Sequence, residues 1–135
     1  MYAQRGAAQY RAVRSHGLVA DASPARLVQI MFEQILAQLA TAQGCMVRIA
    51  NNLPLNDVIA KCKAMGKAIA LIDQLNNTLD MERGQQIAGN LRALYVYMLA
   101  RLTLANVTND SKIVAEVGAL VQEIKSGWDQ IVETR

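Results

Sequence analysis

The chain is poor in the residues from which most reactive sites are built. It has one histidine, His16, and two cysteines, Cys45 and Cys62, in 135 residues. A carboxylate-bridged metal site in a helical protein needs inward glutamates and Glu-x-x-His pairs, which His16 alone cannot supply. Haem and zinc sites fail on the same count. Cys45 and Cys62 lack metal-type spacing and have no histidine to activate them. Cys62 falls on an apolar helical stripe and reads as a buried free thiol; both thiols read as reduced, in a cytoplasmic protein. Aromatic residues make up only 4% of the chain, which argues against a deep aromatic ligand pocket. Gly84 and Gly89 stand alone, with no following Lys-Ser/Thr, so no phosphate-cradling loop is present. Glu33, Asp73, Glu116 and Glu123 fall on polar helix sides rather than in facing pairs. Neither catalysis nor a cofactor is expected.

Other absences narrow the partners. No apolar run reaches the roughly 18 residues of a membrane span, and the first residues carry no apolar signal segment. The net charge is only +3, and no block of like charges occurs. Lys61, Lys63 and Lys67 share one short stretch and read as a solvated helix face, since nucleic-acid surfaces carry denser clusters.

What the chain has in quantity is apolar helix former: 53% of its residues are hydrophobic and 19% charged, with much alanine. One domain of this length can bury a core without disulfides or metal. Residues 1–22 are small, polar and basic, punctuated by Gly6 and Gly17, and read as a mobile arm with a short helix. Tyr2, Tyr10 and Val13 interrupt them, and the last two share a helical face at i, i+3.

Residues 23–135 read as four helices. Ser23-Pro24 is a capped start for the first, which runs to about Asn51. Its stripe is Val28, Phe32, Ile35, Leu39, Ala42, Met46 and Ile49, in alternating steps of four and three, and Leu27, Met31 and Leu36 widen it. Asn56 caps the second, with Asp57 in its first turn. Its stripe is Leu55, Val58, Cys62, Met65, Ile69, Ile72, Asn76 and Leu79, with Leu71 and Leu75 alongside. The third starts between Glu82 and Gln86 and ends near Asn106, with the stripe Ala88, Leu91, Tyr95, Met98, Leu102 and Ala105. Ile87, Leu94, Tyr97, Leu99 and Leu104 lie on both sides of it. That is more apolar surface than one core needs, and such a surplus usually meets a partner. Asn109 or Asp110 caps the fourth helix, which carries Ile113, Val117, Leu120, Ile124, Trp128 and Ile131. Short connections make neighbours antiparallel, so the expected architecture is an all-α, up-down-up-down four-helix bundle with an N-terminal arm.

Three segments also carry a resemblance. They are Met1-Tyr2 with Gly6, Tyr10 and Val13; Ala22-Ser23-Pro24 leading to Leu27-Val28-Gln29-Ile30-Met31-Phe32-Glu33; and Asp80-Met81-Glu82 with Gly84, Asn90-Leu91, Leu94-Tyr95, Tyr97-Met98, Leu102, Ala105-Asn106 and Asn109-Asp110. In order and spacing they resemble the flagellin-specific export chaperone family (FliS), and Trp128 falls where that family often has Trp. The resemblance implies a cytoplasmic chaperone that binds the C-terminal segment of flagellin one to one. It further implies suppression of premature polymerisation and delivery to the flagellar type III secretion apparatus. Flagellar regulatory or export-gate proteins are further partners it allows; nucleic acid and stable membrane insertion are not expected. Helix-in-groove contact suits such a client. The candidate partner-binding residues are Tyr2, Tyr10, Val13, Leu27, Met31, Leu71, Leu75, Leu94, Tyr95, Tyr97, Met98 and Leu102, with the arm as a lid when flagellin is absent. Two rival readings come from the residues themselves. A bundle whose spare apolar face only forms a homodimer is one; a nucleic-acid binder using the second helix is the other.

Overall fold

In a computed structural model, which describes residues 23–51 and 55–133, the chain folds as four helices: α1 (Pro24–Ala50), α2 (Leu55–Asn77), α3 (Met81–Thr108) and α4 (Ser111–Glu133). Each packs on two neighbours: α1 on α2 and α4, and α3 on α2 and α4, with α1 opposite α3 and α2 opposite α4 across the core. This is the all-α four-helix bundle that the periodicity implies. The most extensive helix pair is α1 with α2, and the least extensive is α3 with α4. The arm, residues 1–22, lies outside the described residues.

The helix starts follow from capping chemistry. The Ser23 hydroxyl accepts the Arg26 amide at 3.2 Å, and Pro24 takes the first helical position. Asp80 accepts the amides of Glu82 and Arg83 to start α3. Asp110 accepts those of Lys112 and Ile113 to start α4. Asn109 instead ends α3, in the left-handed region at φ 54°, where asparagine is tolerated better than most residues. The Asp110 amide returns to the Ala105 carbonyl, closing a Schellman-type turn. At α2, the helix begins one residue before Asn56, which therefore sits in the first turn instead of capping it.

The core is built from one face of each helix. Val28, Phe32, Ile35, Leu39, Ala42 and Met46 of α1 are buried, and so are Ala88, Tyr95, Met98, Leu102 and Ala105 of α3. The expected stripes of these two helices therefore hold, with Ile49 and Leu91 half-buried at their edges. The stripe of α2 needs correction. Leu55 is 71% exposed and Cys62 is exposed, while Ala64, Ala68, Leu75 and Lys61 are buried. The expected stripe holds at Met65, Ile72 and Asn76, which are buried, and the buried face of α2 extends beside it to Lys61, Ala64 and Ala68. Cys45, not Cys62, is the buried thiol. In α4, Val114 and Val121 join the core beside Ile113 and Val117, and Ile131 is exposed.

Lys61 departs furthest from its expected solvated setting. Its stem is buried, and its ammonium donates to the Asn106 carbonyl at 3.0 Å, near the C-terminus of α3. A cation there complements the negative end of the helix dipole. Lys63 and Lys67 are exposed, as expected.

Candidate partner-binding site

One end of the bundle brings together the start of α1, the end of α2, the start of α3 and the end of α4. There the side chains do not fill the space. A cavity of about 270 Å³ opens between Val28, Phe32, Leu75, Leu79, Ile87, Ala88, Leu91, Tyr95, Ile124 and Trp128, with Thr78, Asp80 and Gly84 at its edge. Its few polar groups are already engaged. The Thr78 hydroxyl donates to the Leu75 carbonyl at 2.7 Å, and Asp80 is occupied as a helix cap. The Trp128 indole N–H donates to the Ala25 carbonyl at 2.9 Å, leaving its apolar surface to the cavity. The volume falls below the roughly 300–1,000 Å³ of pockets that hold whole small-molecule ligands. It suits one or two apolar side chains.

The rim is held by polar contacts and marked by strain. Gln29 donates to Asp129 at 2.8 Å, tying α1 to α4, and Lys125 pairs with the same carboxylate. These bonds hold the Asp129 carboxyl below its ordinary range, the Lys125 bond first and the Gln29 bond second. Across the cavity, α3 starts twice. The turn from Met81 to Gly84 is closed by the Gly84 amide on the Asp80 carbonyl, and then Gln85 breaks the helix at φ 46°, ψ −118°. That conformation is strained for a residue with a side chain. Position 84 is crowded as well: a Cβ there would sit 2.6 Å from the Ala88 Cβ, so a neighbour would have to shift.

A second feature runs along the outside of α3. Ala93, Val96, Tyr97, Ala100, Leu104 and Val107 are exposed and follow helical spacing. The large members range from 44% exposed at Tyr97 and Leu104 to 81% at Val107. The opposite face of the same helix is already filled by the core, so α3 is apolar on both sides.

The candidate residues divide accordingly. Tyr97 is exposed, and Leu71 and Leu94 are half-buried. Leu75 and Tyr95 are buried but reach the cavity wall. Leu27, Met31, Met98 and Leu102 lie within the core with at most 1% exposure. Tyr2, Tyr10 and Val13 lie outside the described residues. Sequence reasoning passed over Val96, Val107 and the cavity lining at Leu79, Ile124 and Trp128 as surface for a partner. Gly84 and Ala88, small residues one turn apart beneath larger neighbours, were the available signal for a void.

Among the described residues no cluster of three His, Cys, Asp or Glu side chains is placed to hold a metal, and no helix is long and apolar enough to cross a membrane.

Residues 6–135 match the family described as flagellar protein FliS. The chain is 44% identical to the flagellar secretion chaperone FliSB of Pseudomonas aeruginosa over 97% of its own length and 98% of that protein's. It is 39% identical to the flagellar secretion chaperone FliS of Salmonella typhimurium, covering 97% and 93% of the two chains. Against the protein of the same name from Vibrio cholerae it is 35% identical, covering 94% and 89%. The chain therefore belongs to the FliS family of flagellar secretion chaperones, which is not an enzyme family.

Proposed function

We propose that the chain is a cytoplasmic export chaperone whose client is the C-terminal segment of flagellin, held one to one. The observation that carries this reading is the second apolar face of α3, exposed along Val96, Tyr97, Leu104 and Val107 although the opposite face of that helix already packs in the core. A client helix laid on that face covers it, and a client side chain enters the cavity between Leu79, Ile87 and Trp128. Leu71, Leu94 and Tyr97 make direct contact, Leu75 and Tyr95 meet the inserted side chain, and the buried Leu27, Met31, Met98 and Leu102 hold the frame. A covered flagellin terminus has no free apolar face with which to polymerise, and the complex is delivered to the flagellar type III secretion apparatus.

The arm fits the same scheme as a lid. It joins the bundle at Ser23, at the cavity end, and carries the apolar Tyr2, Tyr10 and Val13. Deleting residues 1–14 is expected to change flagellin affinity or the solubility of the free protein; no change in either removes the lid from the scheme.

Titration calorimetry of the full chain against roughly the last 40 residues of flagellin tests the main reading, because folding of a client onto an apolar face gives a large negative heat-capacity change. One-to-one binding with that signature is expected. Absence of binding across temperatures, together with a concentration-dependent mass of the chain alone, favours self-association through the same α3 face.

A further inference from the structure

Tyr97 stands on the outer face of α3, 44% exposed, yet its hydroxyl is not left to water. It donates to Glu116 Oε1 on α4 at 2.9 Å, and Arg101 Nε, one turn further along α3, donates to the same oxygen at 3.1 Å. One carboxylate thus gathers two side chains of α3 across the least extensive of the helix contacts. The titration of both groups follows. The Tyr97 bond, and then the Arg101 bond, hold the Glu116 carboxyl below its ordinary range, and the bond to Glu116 raises the Tyr97 phenol.

An exposed ion pair of this kind adds little to stability. Its consequence is geometric. A tyrosine hydroxyl lies on the axis of the ring, so tethering it to the neighbouring helix restrains the first side-chain torsion, which sets where the ring points. We propose that Glu116 is a positioning residue for partner binding: it holds the Tyr97 ring across the α3–α4 seam, so that the ring is ordered before a client arrives. This rests on the outer face of α3 being the client surface. Ordering a free side chain at an interface opposes binding, and Glu116 removes that opposition in advance.

The test is a set of full-length variants titrated with the flagellin C-terminal segment. Glu116→Ala is expected to weaken binding roughly three- to tenfold, in line with the ordering of one side chain. Tyr97→Phe, which keeps the ring and loses the tether, is expected to weaken it similarly, and the double variant no further. Glu116→Gln keeps an acceptor for the hydroxyl and is expected to restore binding to near the wild-type value. Arg101→Met, which loses the ion pair but not the tether, is expected to leave it nearly unchanged. Wild-type affinity in Glu116→Ala, or additive losses in the double variant, overturns the proposal. A client-free readout separates it from the flagellin reading. The Tyr97 Hα–Hβ couplings of the free protein should report a single rotamer about the first side-chain torsion and should move toward rotamer-averaged values in Glu116→Ala, with the fold retained. Unchanged couplings overturn the role of Glu116 whether or not flagellin binds.

Discussion

The two ends of the bundle handle the same problem, four helix termini meeting, in opposite ways. At the end formed by the last turns of α1 and α3 and the first turns of α2 and α4, polar groups tie the helices together from within. Lys61 reaches the Asn106 carbonyl, Asn109 Nδ2 donates to the Met46 carbonyl at 3.2 Å, and Arg48 pairs with Asp57 at 2.8 Å. Apolar side chains at that end, such as Val47, Leu55 and Ile59, are exposed. At the other end the interior is apolar and incompletely filled, and the backbone at Gln85 is strained. The lesson is that exposed apolar surface and receptive apolar surface differ. The first end offers exposed apolar surface, and the second offers a concave space that a side chain can enter.

Substitutions sharpen the contrast. The largest effect is expected for Phe32→Ala, which removes a nearly fully buried ring shared by the core and the cavity wall. A loss of about 3–5 kcal/mol is expected in urea unfolding, with a cavity at this end that is larger than before. Lys61→Ala attacks the other end. It leaves the Asn106 carbonyl without its charged donor, and about 1–3 kcal/mol of stability should be lost. Lys61→Met, which retains the apolar stem, should recover part of that loss and so separate packing from hydrogen bonding.

Two changes at the start of α3 act in opposite directions. Gly84→Ala forces a methyl against the Ala88 Cβ and is expected to cost about 1–3 kcal/mol. Gln85→Gly relieves a conformation that costs about 1–3 kcal/mol, offset by the roughly 0.5–1 kcal/mol entropic penalty of glycine. A net gain of about 1 kcal/mol, read as a higher Tm, is expected. A lower Tm would show that Gln85 is not strained.

The smallest effect concerns pH. The Asp129 carboxyl is depressed by Lys125 and Gln29 in the folded state, so its contribution is complete above the unfolded-state value. It is lost as the pH falls below that value and through the lower folded one. Asp129→Asn should therefore lower stability slightly at neutral pH and converge with the wild type at low pH, which flattens the acid limb of the stability curve. An acid limb identical to that of the wild type would contradict the depressed value.

Much of this was legible in the residues. Capping at Ser23, a cap at Asn109 or Asp110, the stripes of α1 and α3, and the surplus on α3 all follow from local chemistry and periodicity. The face of α2 was legible at Met65, Ile72 and Asn76 but not in its first half, where two apolar patterns interleave. Counting hydrophobicity favours Leu55 and Cys62, whereas the smaller Ala64 and Ala68 are the residues buried. Lys61 was misplaced for a related reason: a lysine is buried only when an acceptor on another helix meets its ammonium, and Asn106 lies 45 residues away. The cavity belongs to no single helix. It is what four termini leave unfilled, so only the small residues Gly84 and Ala88 hinted at it. The split between core and contact among Tyr95, Tyr97 and Met98 turns on helix rotation, which apolar spacing alone does not resolve on a helix that is apolar on both faces.

The most direct measurement is a methyl and amide chemical-shift map of the full chain titrated with the flagellin C-terminal segment. The expected result is perturbation of Leu79, Ile87, Leu91 and Ile124 around the cavity, and of Val96 and Leu104 along α3, with Val47 and Ile113 at the opposite end little affected. Shifts confined to that opposite end, with the cavity signals unmoved, would contradict the account.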